Sequence, residues 1–317
     1  MKVAITGANG FLGSYLVKEC LLQNWEVHAF IRKNANTSLL PQHDLLLIHP
    51  INYNQDVAQQ LSEIKSQVGS VDFFIHNAGM TVSLKNEEYY QVNVGITETL
   101  TDSLNASGFL KKEGKFIYTS SYAAHGPATI KQPVSHYGRS KLQAEKVIVE
   151  RMPNHLLVRP TAIYGGGDEA FLPLFKGAKM GVYPVTDAKQ RMSMIHAADL
   201  ARMVIQDMQT STGILHYNDG NTYLHQEFIE IFEELFQKKV RKFPLPKWLA
   251  KLSMGSSDLW HKIIKKRPGI TLEKFDEISQ HWDLHTTDLK HSSVKPQISL
   301  KEGFKDSLKF YQENDLI

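Results

Sequence analysis

The 317-residue chain has a single cysteine, Cys20. One thiol excludes an internal disulfide and any cysteine-rich metal site, and such usage fits a reducing compartment. Neither sign of charge is in strong excess: 36 Lys and Arg stand against 33 Asp and Glu, a formal net of +3. The chain as a whole therefore builds no strong field for nucleic acid or acidic lipid. No apolar run approaches the roughly 18 residues a spanning helix needs, so stable membrane insertion is not expected. The 14 histidines show no HExxH or comparable ligand spacing, and no metal is expected. Met1-Lys2-Val3-Ala4-Ile5-Thr6-Gly7 is too short for a leader before the first turn glycine. A cytoplasmic location is the expectation.

What is present is an ordinary globular composition, long enough for more than one small domain. Short apolar runs alternate with helical patterns through about the first 165 residues. Residues 2–6, 26–31, 71–76, 115–120 and 155–159 read as strands, three of them without clear alternation, as in a parallel sheet buried on both faces. Residues 13–23, 57–68, 89–107 and 137–151 read as helices. This predicts an α/β, doubly wound (Rossmann) parallel sheet. Beyond Gly165 the pattern changes, although 196–207 reads as one more helix and 214–218 as one more strand. The expected division is a dinucleotide-binding domain, 1–170 plus 194–220, and a smaller, mostly helical substrate domain, 171–193 plus 221–317.

Gly7-Ala8-Asn9-Gly10-Phe11-Leu12-Gly13 follows the first strand and opens the first helix. Glycine permits the tight turn and lets backbone approach a pyrophosphate at the positive helix end. Glycines mark turns everywhere, but here the flanking strand and helix are both present. The spacing resembles that of the extended short-chain dehydrogenase/reductase family. NAD-specific relatives end the second strand with an acidic residue; this chain has Ile31, then Arg32 and Lys33. Two cations and no carboxylate favour a 2′-phosphate, hence NADP over NAD. The alternative is that Arg32 and Lys33 merely solvate a loop.

Tyr137 and Lys141 share one helix face at i and i+4. A nearby ammonium and a positive nicotinamide both favour phenolate, moving a phenol from its usual value near 10 toward the working range. Ser121 lies sixteen residues before Tyr137, at the end of a strand, where ligands bind in such folds. The resemblance to the extended family then becomes residue by residue. His76-Asn77-Ala78-Gly79 is similar to the turn beside the cofactor, and Asn93-Val94-Gly95 to the Asn-containing helix segment. Ser121, Tyr137 and Lys141 match the catalytic Ser, Tyr and Lys. The segment from Arg159 to Gly165, containing Pro160 and Ile163, matches the one along the nicotinamide. The resemblance thus implies cofactor contacts from Gly7, Asn9, Gly10, Phe11, Leu12, Gly13, Arg32, Lys33, His76, Ala78, Gly79, Asn93, Tyr137, Lys141, Pro160 and Ile163. Thr81, Ser121, His125 and Tyr164 are expected on the substrate side. The family also implies a homodimer through helices after Asn93 and Tyr137.

Within the family, dihydroflavonol reductases and 3β-hydroxysteroid dehydrogenases are the nearest in kind. A 4,6-dehydratase would place an Asp-Glu pair after Ser121, where Tyr122-Ala123 stands. Nucleotide-sugar epimerases commonly hold the diphosphate with an Arg four residues before the later-helix His; here that residue is Met192, with Arg191 beside it. The expected activity is NADP-dependent interconversion of a carbonyl and an alcohol on a small, largely apolar molecule. A nucleotide-sugar epimerase and a non-catalytic NADP-binding regulator are the alternatives, although such regulators typically lose the Tyr or Lys. Two departures stand out: His125 where relatives usually have Tyr, and Ile51-Asn52 where an acidic residue commonly borders the adenine. The Trp- and Leu-rich segment 247–264, ending in Lys262, Lys265, Lys266 and Arg267, reads as a lid over a lipophilic pocket or as a membrane-surface element.

Overall fold

The computed structural model describes residues 1–264, 271–283 and 289–317, apart from the side chains at 259, 260 and 262–264. Its central sheet comprises β1 (Lys2–Thr6), β2 (Glu26–Ile31), β3 (Leu46–Pro50), β4 (Val71–His76), β5 (Leu110–Thr119), β6 (His155–Pro160) and β7 (Gly213–Tyr217). All pairings are parallel, in the order β7-β6-β5-β4-β1-β2-β3. That order reverses between β1 and β4, which opens a crevice at the strands' carboxyl ends.

The continuous apolar runs are buried because helices cover both faces. Val3, Ile5, Val27 and Ala29 pack on one side against α1 (Phe11–Leu22) and α5 (Ala197–Thr210). Ala4, Phe30, Phe74 and Phe116 pack on the other against α2 (Val57–Val68), α3 (Ile96–Ser107) and α4 (His136–Arg151). Helix starts follow local capping: Asp56 accepts from the Gln59 amide and Ser135 from the Gly138 amide. The stretch expected as one helix from 89 to 107 contains a π turn, Gln91–Gly95, that carries the buried Asn93.

One strand of the central sheet is not among those expected. β3 is the sheet edge, paired only with β2, half exposed and closed by Pro50, so it lacks a buried strand's pattern. β5 also begins five residues earlier than expected, at Leu110, across an irregularity in its pairing with β4.

A third core gathers Phe175, Phe228, Phe232, Phe304 and Tyr311 from the helices Leu172–Lys179, His225–Phe236 and Leu300–Glu313. Tyr164 belongs to it: 1% exposed, its ring lies edge-on to Phe304 at 5.4 Å. The expectation that Tyr164 faces substrate is therefore corrected; the aromatic core claims its ring. In the helix Lys247–Ile264, Ala250 is buried while Trp248 and Leu252 are 68% and 62% exposed. Both side chains face largely outward, where the lid expectation had apolar groups turned onto a pocket. The expected features at Leu259, Trp260, Lys262, Ile263, Ile264, Lys265, Lys266 and Arg267 lie outside the described residues and side chains.

Candidate active site

Strand register brings the expected residues to one edge. Thr6 is level with Phe30 and His76, His76 with Tyr118, and Thr119 with Val158. The loop after β1 is wound tightly: Gly10 N donates to Gly7 O at 3.1 Å, and Ser14 N to Gly10 O at 2.9 Å. A Cβ on Gly13 would collide with the Gly7 carbonyl oxygen, and Gly7 itself has φ +64°. Gly10 caps α1 without a side-chain acceptor, and no acidic residue stands in the first turn. The helix N-terminus thus keeps its positive character for an external anion, a cradle that fits a pyrophosphate. Asn9 Nδ2 donates to Asn36 O at 2.8 Å, tying the loop to the chain after β2. Arg32 and Lys33 are exposed at that strand's end, and no ion-pair partner for either occurs among the described residues.

Two expected cofactor contacts turn out to be internal. His76 is fully buried; its ring nitrogens lie 2.8 Å from Thr6 Oγ1 and 3.1 Å from Thr97 Oγ1, and burial pushes its pKa down to about 3. Thr6 Oγ1 accepts from the Asn77 and Ala78 amides, both at 3.1 Å, so this group shapes the turn from below. Asn93 is also buried: its amide pairs with the Met80 backbone at 2.8 and 3.0 Å and with Ser140 Oγ at 2.9 Å. Both residues position what touches the crevice, namely Ala78 and exposed Gly79. A Cβ on Gly79 would sit 3.0 Å from Lys141 Nζ.

The structure brings Ser121, Tyr137 and Lys141 together. Ser121 follows β5, and its hydroxyl accepts from the Ala123 amide at 3.1 Å. Tyr137 and Lys141 lie in the first turns of α4. Burial raises the Tyr137 phenol above its ordinary value; a hydrogen bond with Ser121 opposes this and the Glu277 charge adds to it. The chain's own groups therefore keep the phenol protonated, and the expected lowering is not seen in them. Lys141 Nζ donates to Thr119 O at 2.8 Å and lies 4.7 Å from the Tyr118 ring centroid. Burial pulls its pKa down to about 8, against the opposing charge of Glu145 one turn on.

Glu145 is the hub of a buried ion pair. Arg159 reaches it through Nε at 2.8 Å and Nη2 at 2.5 Å, and Ser120 Oγ donates to it at 2.5 Å. This clamp fixes α4 to the ends of β5 and β6, and so fixes Lys141 relative to Ser121. Bidentate geometry suits Arg here.

Local patterning did not point to what covers Tyr137. The short helix Leu272–Ile278, capped by Thr271, lies across it. Ser135 Oγ bonds Glu277, the His136 amide bonds Glu273, and Lys274 stands over the Tyr137 ring. Trp282 packs with Met80, Tyr89, Ala123 and Tyr137 in a small apolar cluster. The Thr271 cap was a legible helix start, but no local signal tied it to Tyr137.

The remaining expected residues divide. Thr81 is exposed two residues after Gly79, Ile163 is half-buried, and Pro160 is buried at the end of β6. His125 stacks on Tyr122 at 5.2 Å with its Nδ1 against Gly126 O, so it is a packed loop residue. Arg191 is exposed, and its carbonyl accepts from the Trp282 amide at 2.9 Å.

Residues 3–220 match the model of the NAD dependent epimerase/dehydratase family. The chain is similar to a ceramide reductase of Caulobacter vibrioides, 27% identical over 98% of this chain and 94% of that one. It is 25% identical to a UDP-glucose 4-epimerase of Vibrio cholerae, over 99% and 96% of the two chains. Among solved structures, a UDP-glucuronic acid 4-epimerase from Bacillus cereus in complex with NAD superposes with a TM-score of 0.74, at 20% identity over 99% of each chain. A Thermotoga maritima UDP-glucose 4-epimerase gives 0.73 at 16% identity, again over 99% of each. The chain belongs to the NAD dependent epimerase/dehydratase family and is an enzyme of the extended short-chain dehydrogenase/reductase type.

Proposed function

We propose that the enzyme reduces a carbonyl on a largely apolar molecule to the alcohol, with NADP as the preferred dinucleotide. The observation that carries this reading is the apolar wall of Met80, Tyr89, Ala123 and Trp282 around Tyr137. The similarity over nearly the whole chain to a ceramide reductase supports it. The proposed division of labour sets residues 1–170 plus 194–220 to the dinucleotide and 171–193 plus 221–317 to the substrate.

The residues fit a dinucleotide: the 7–13 loop and the α1 N-terminus take the pyrophosphate, and exposed Arg32 and Lys33 take a 2′-phosphate beside Ile31. Bound there, the nicotinamide supplies the hydride. Ser121 and Tyr137 hold the carbonyl oxygen by hydrogen bonds, and Tyr137 gives its phenolic proton as negative charge builds there. Lys141, charged below about pH 8, stabilises the phenolate left behind. The aromatic wall excludes water, which strengthens each of these interactions.

Exposed Arg191 beside Met192 favours a second reading, epimerisation of a nucleotide sugar. Incubation with panels of hydrophobic carbonyls and of UDP-, GDP- and dTDP-hexoses separates the two. Net NADPH oxidation by a carbonyl supports reduction. Inversion of a sugar without net cofactor turnover replaces it with epimerisation.

A further inference from the structure

We infer that the segment 238–257 docks the enzyme on an anionic lipid surface, and that the substrate is a lipid carbonyl drawn from it. The second clause rests on the reductase reading; the first does not.

The segment combines uncompensated positive charge with exposed large apolar side chains. Between Lys238 and Ser257 the sequence has six cations and no carboxylate. The strand Arg241–Pro244 is exposed along its whole length, and Phe243 in it is 52% exposed. The helix Lys247–Ile264 then continues with Trp248, Leu249 and Leu252 outward. Large apolar side chains exposed within ten residues of one another carry a hydration cost that a partner would relieve.

Neighbouring carboxylates offset only part of the positive charge. Lys247 meets Asp187 at 3.7 Å, Lys251 meets Asp276 at 2.7 Å and Lys239 meets Glu233 at 3.2 Å. Among the described residues no carboxylate pairs with Lys238, Arg241 or Lys242. Exposed Trp and Leu interleaved with Lys and Arg match the layered chemistry of a bilayer surface: acyl chains for the apolar groups, anionic headgroups for the cations. Charge complementarity thus selects an anionic membrane over a neutral one.

Position links this surface to the site. The same helix is tied to the helix Leu272–Ile278: Lys251 pairs with Asp276, and Asp258 accepts from the Leu272 amide at 2.9 Å. That second helix carries Lys274 over the Tyr137 ring. An enzyme resting on Trp248 and Leu252 would have the cover of its catalytic cleft attached to the element in the headgroups, a route for a lipid to leave the bilayer and reach Tyr137.

The test is flotation with large unilamellar vesicles of phosphatidylcholine, with and without phosphatidylglycerol. The full-length enzyme is expected to float with the anionic vesicles and to be released by high salt. Replacing Trp248→Ser and Leu252→Ser together should weaken binding by about tenfold or more. Arg241→Ser and Lys242→Ser should cost about fivefold each. Unchanged far-UV circular dichroism checks that these surface variants fold. Wild-type protein that fails to float, or a Trp248/Leu252 variant that floats as well as wild type, overturns the docking. So does binding to single-stranded oligonucleotides in place of vesicles, or a dimer that the serine variants dissociate with no flotation. Flotation needs no substrate and reduction of a water-soluble carbonyl needs no vesicle. Loss of the first with retention of the second refutes docking alone; the reverse refutes the reductase reading alone.

Discussion

The ammonium of Lys274 lies 4.7 Å from the centroid of the Tyr137 ring. The contact joins the C-terminal region to the proposed proton donor, and Lys274 Nζ is itself held by Glu277 at 2.5 Å. A cation over an aromatic face contributes about 1 kcal/mol. Lys274→Met should raise KM by roughly fivefold and shift the pH dependence of kcat/KM while leaving NADPH affinity unchanged. A variant with the wild-type pH profile and KM would show that Lys274 only packs.

The cofactor prediction depends on charge at the end of β2. NADPH should bind at least about tenfold more tightly than NADH, roughly 1.4 kcal/mol, when both are titrated by fluorescence. Ile31→Asp should move the preference toward NADH, and Arg32→Ser should weaken NADPH selectively. Equal affinities in the wild type would remove the role given to Arg32.

Tyr137→Phe keeps the ring and removes the proton. Turnover should fall by about 10² to 10⁴ with cofactor affinity largely intact. Lys141→Met should reduce both, because Lys141 stands at the Gly79 edge of the crevice proposed for the cofactor as well as near Tyr137. Near-normal turnover by Tyr137→Phe would refute the mechanism.

Lys141 sets a pH window. With its pKa lowered to about 8, kcat/KM for carbonyl reduction should fall as pH rises through that value. Stability should move the opposite way. Between about pH 8 and the usual lysine value near 10.4 the unfolded chain holds a proton on Lys141 that the folded chain has released, so this group's contribution to stability rises with pH. Activity lost in parallel with unfolding, rather than against it, would contradict the assignment.

The Glu145–Arg159 pair is the most exposed to disruption, because both groups are buried. Glu145→Gln leaves the Arg159 guanidinium without its counter-charge and should cost about 3–5 kcal/mol in urea unfolding. Replacing both residues with apolar ones of similar volume should recover much of that loss. A stable single variant would show that water or another group compensates Arg159.

Local signals were enough for much of this protein. β1, β2, β4 and α2 begin and end where their apolar runs, caps and turn glycines place them, because those signals act within a few residues. Gly7, Gly13 and the Tyr137/Lys141 spacing are equally local: a collision across one turn and a shared helix face. Tertiary structure decided the rest. Whether His76, Asn93 and Tyr164 face a ligand or the interior depends on which elements stack against them, and each found partners inside. β3 is an edge strand only because, among the described residues, nothing pairs beyond it. Glu273 stands 137 positions along the chain from the His136 amide it binds. No spacing rule spans that separation: chain folding alone brought Lys274 and Trp282 over Tyr137 and left Trp248 and Leu252 facing outward, because burial is a property of the assembled surface rather than of the residues that form it.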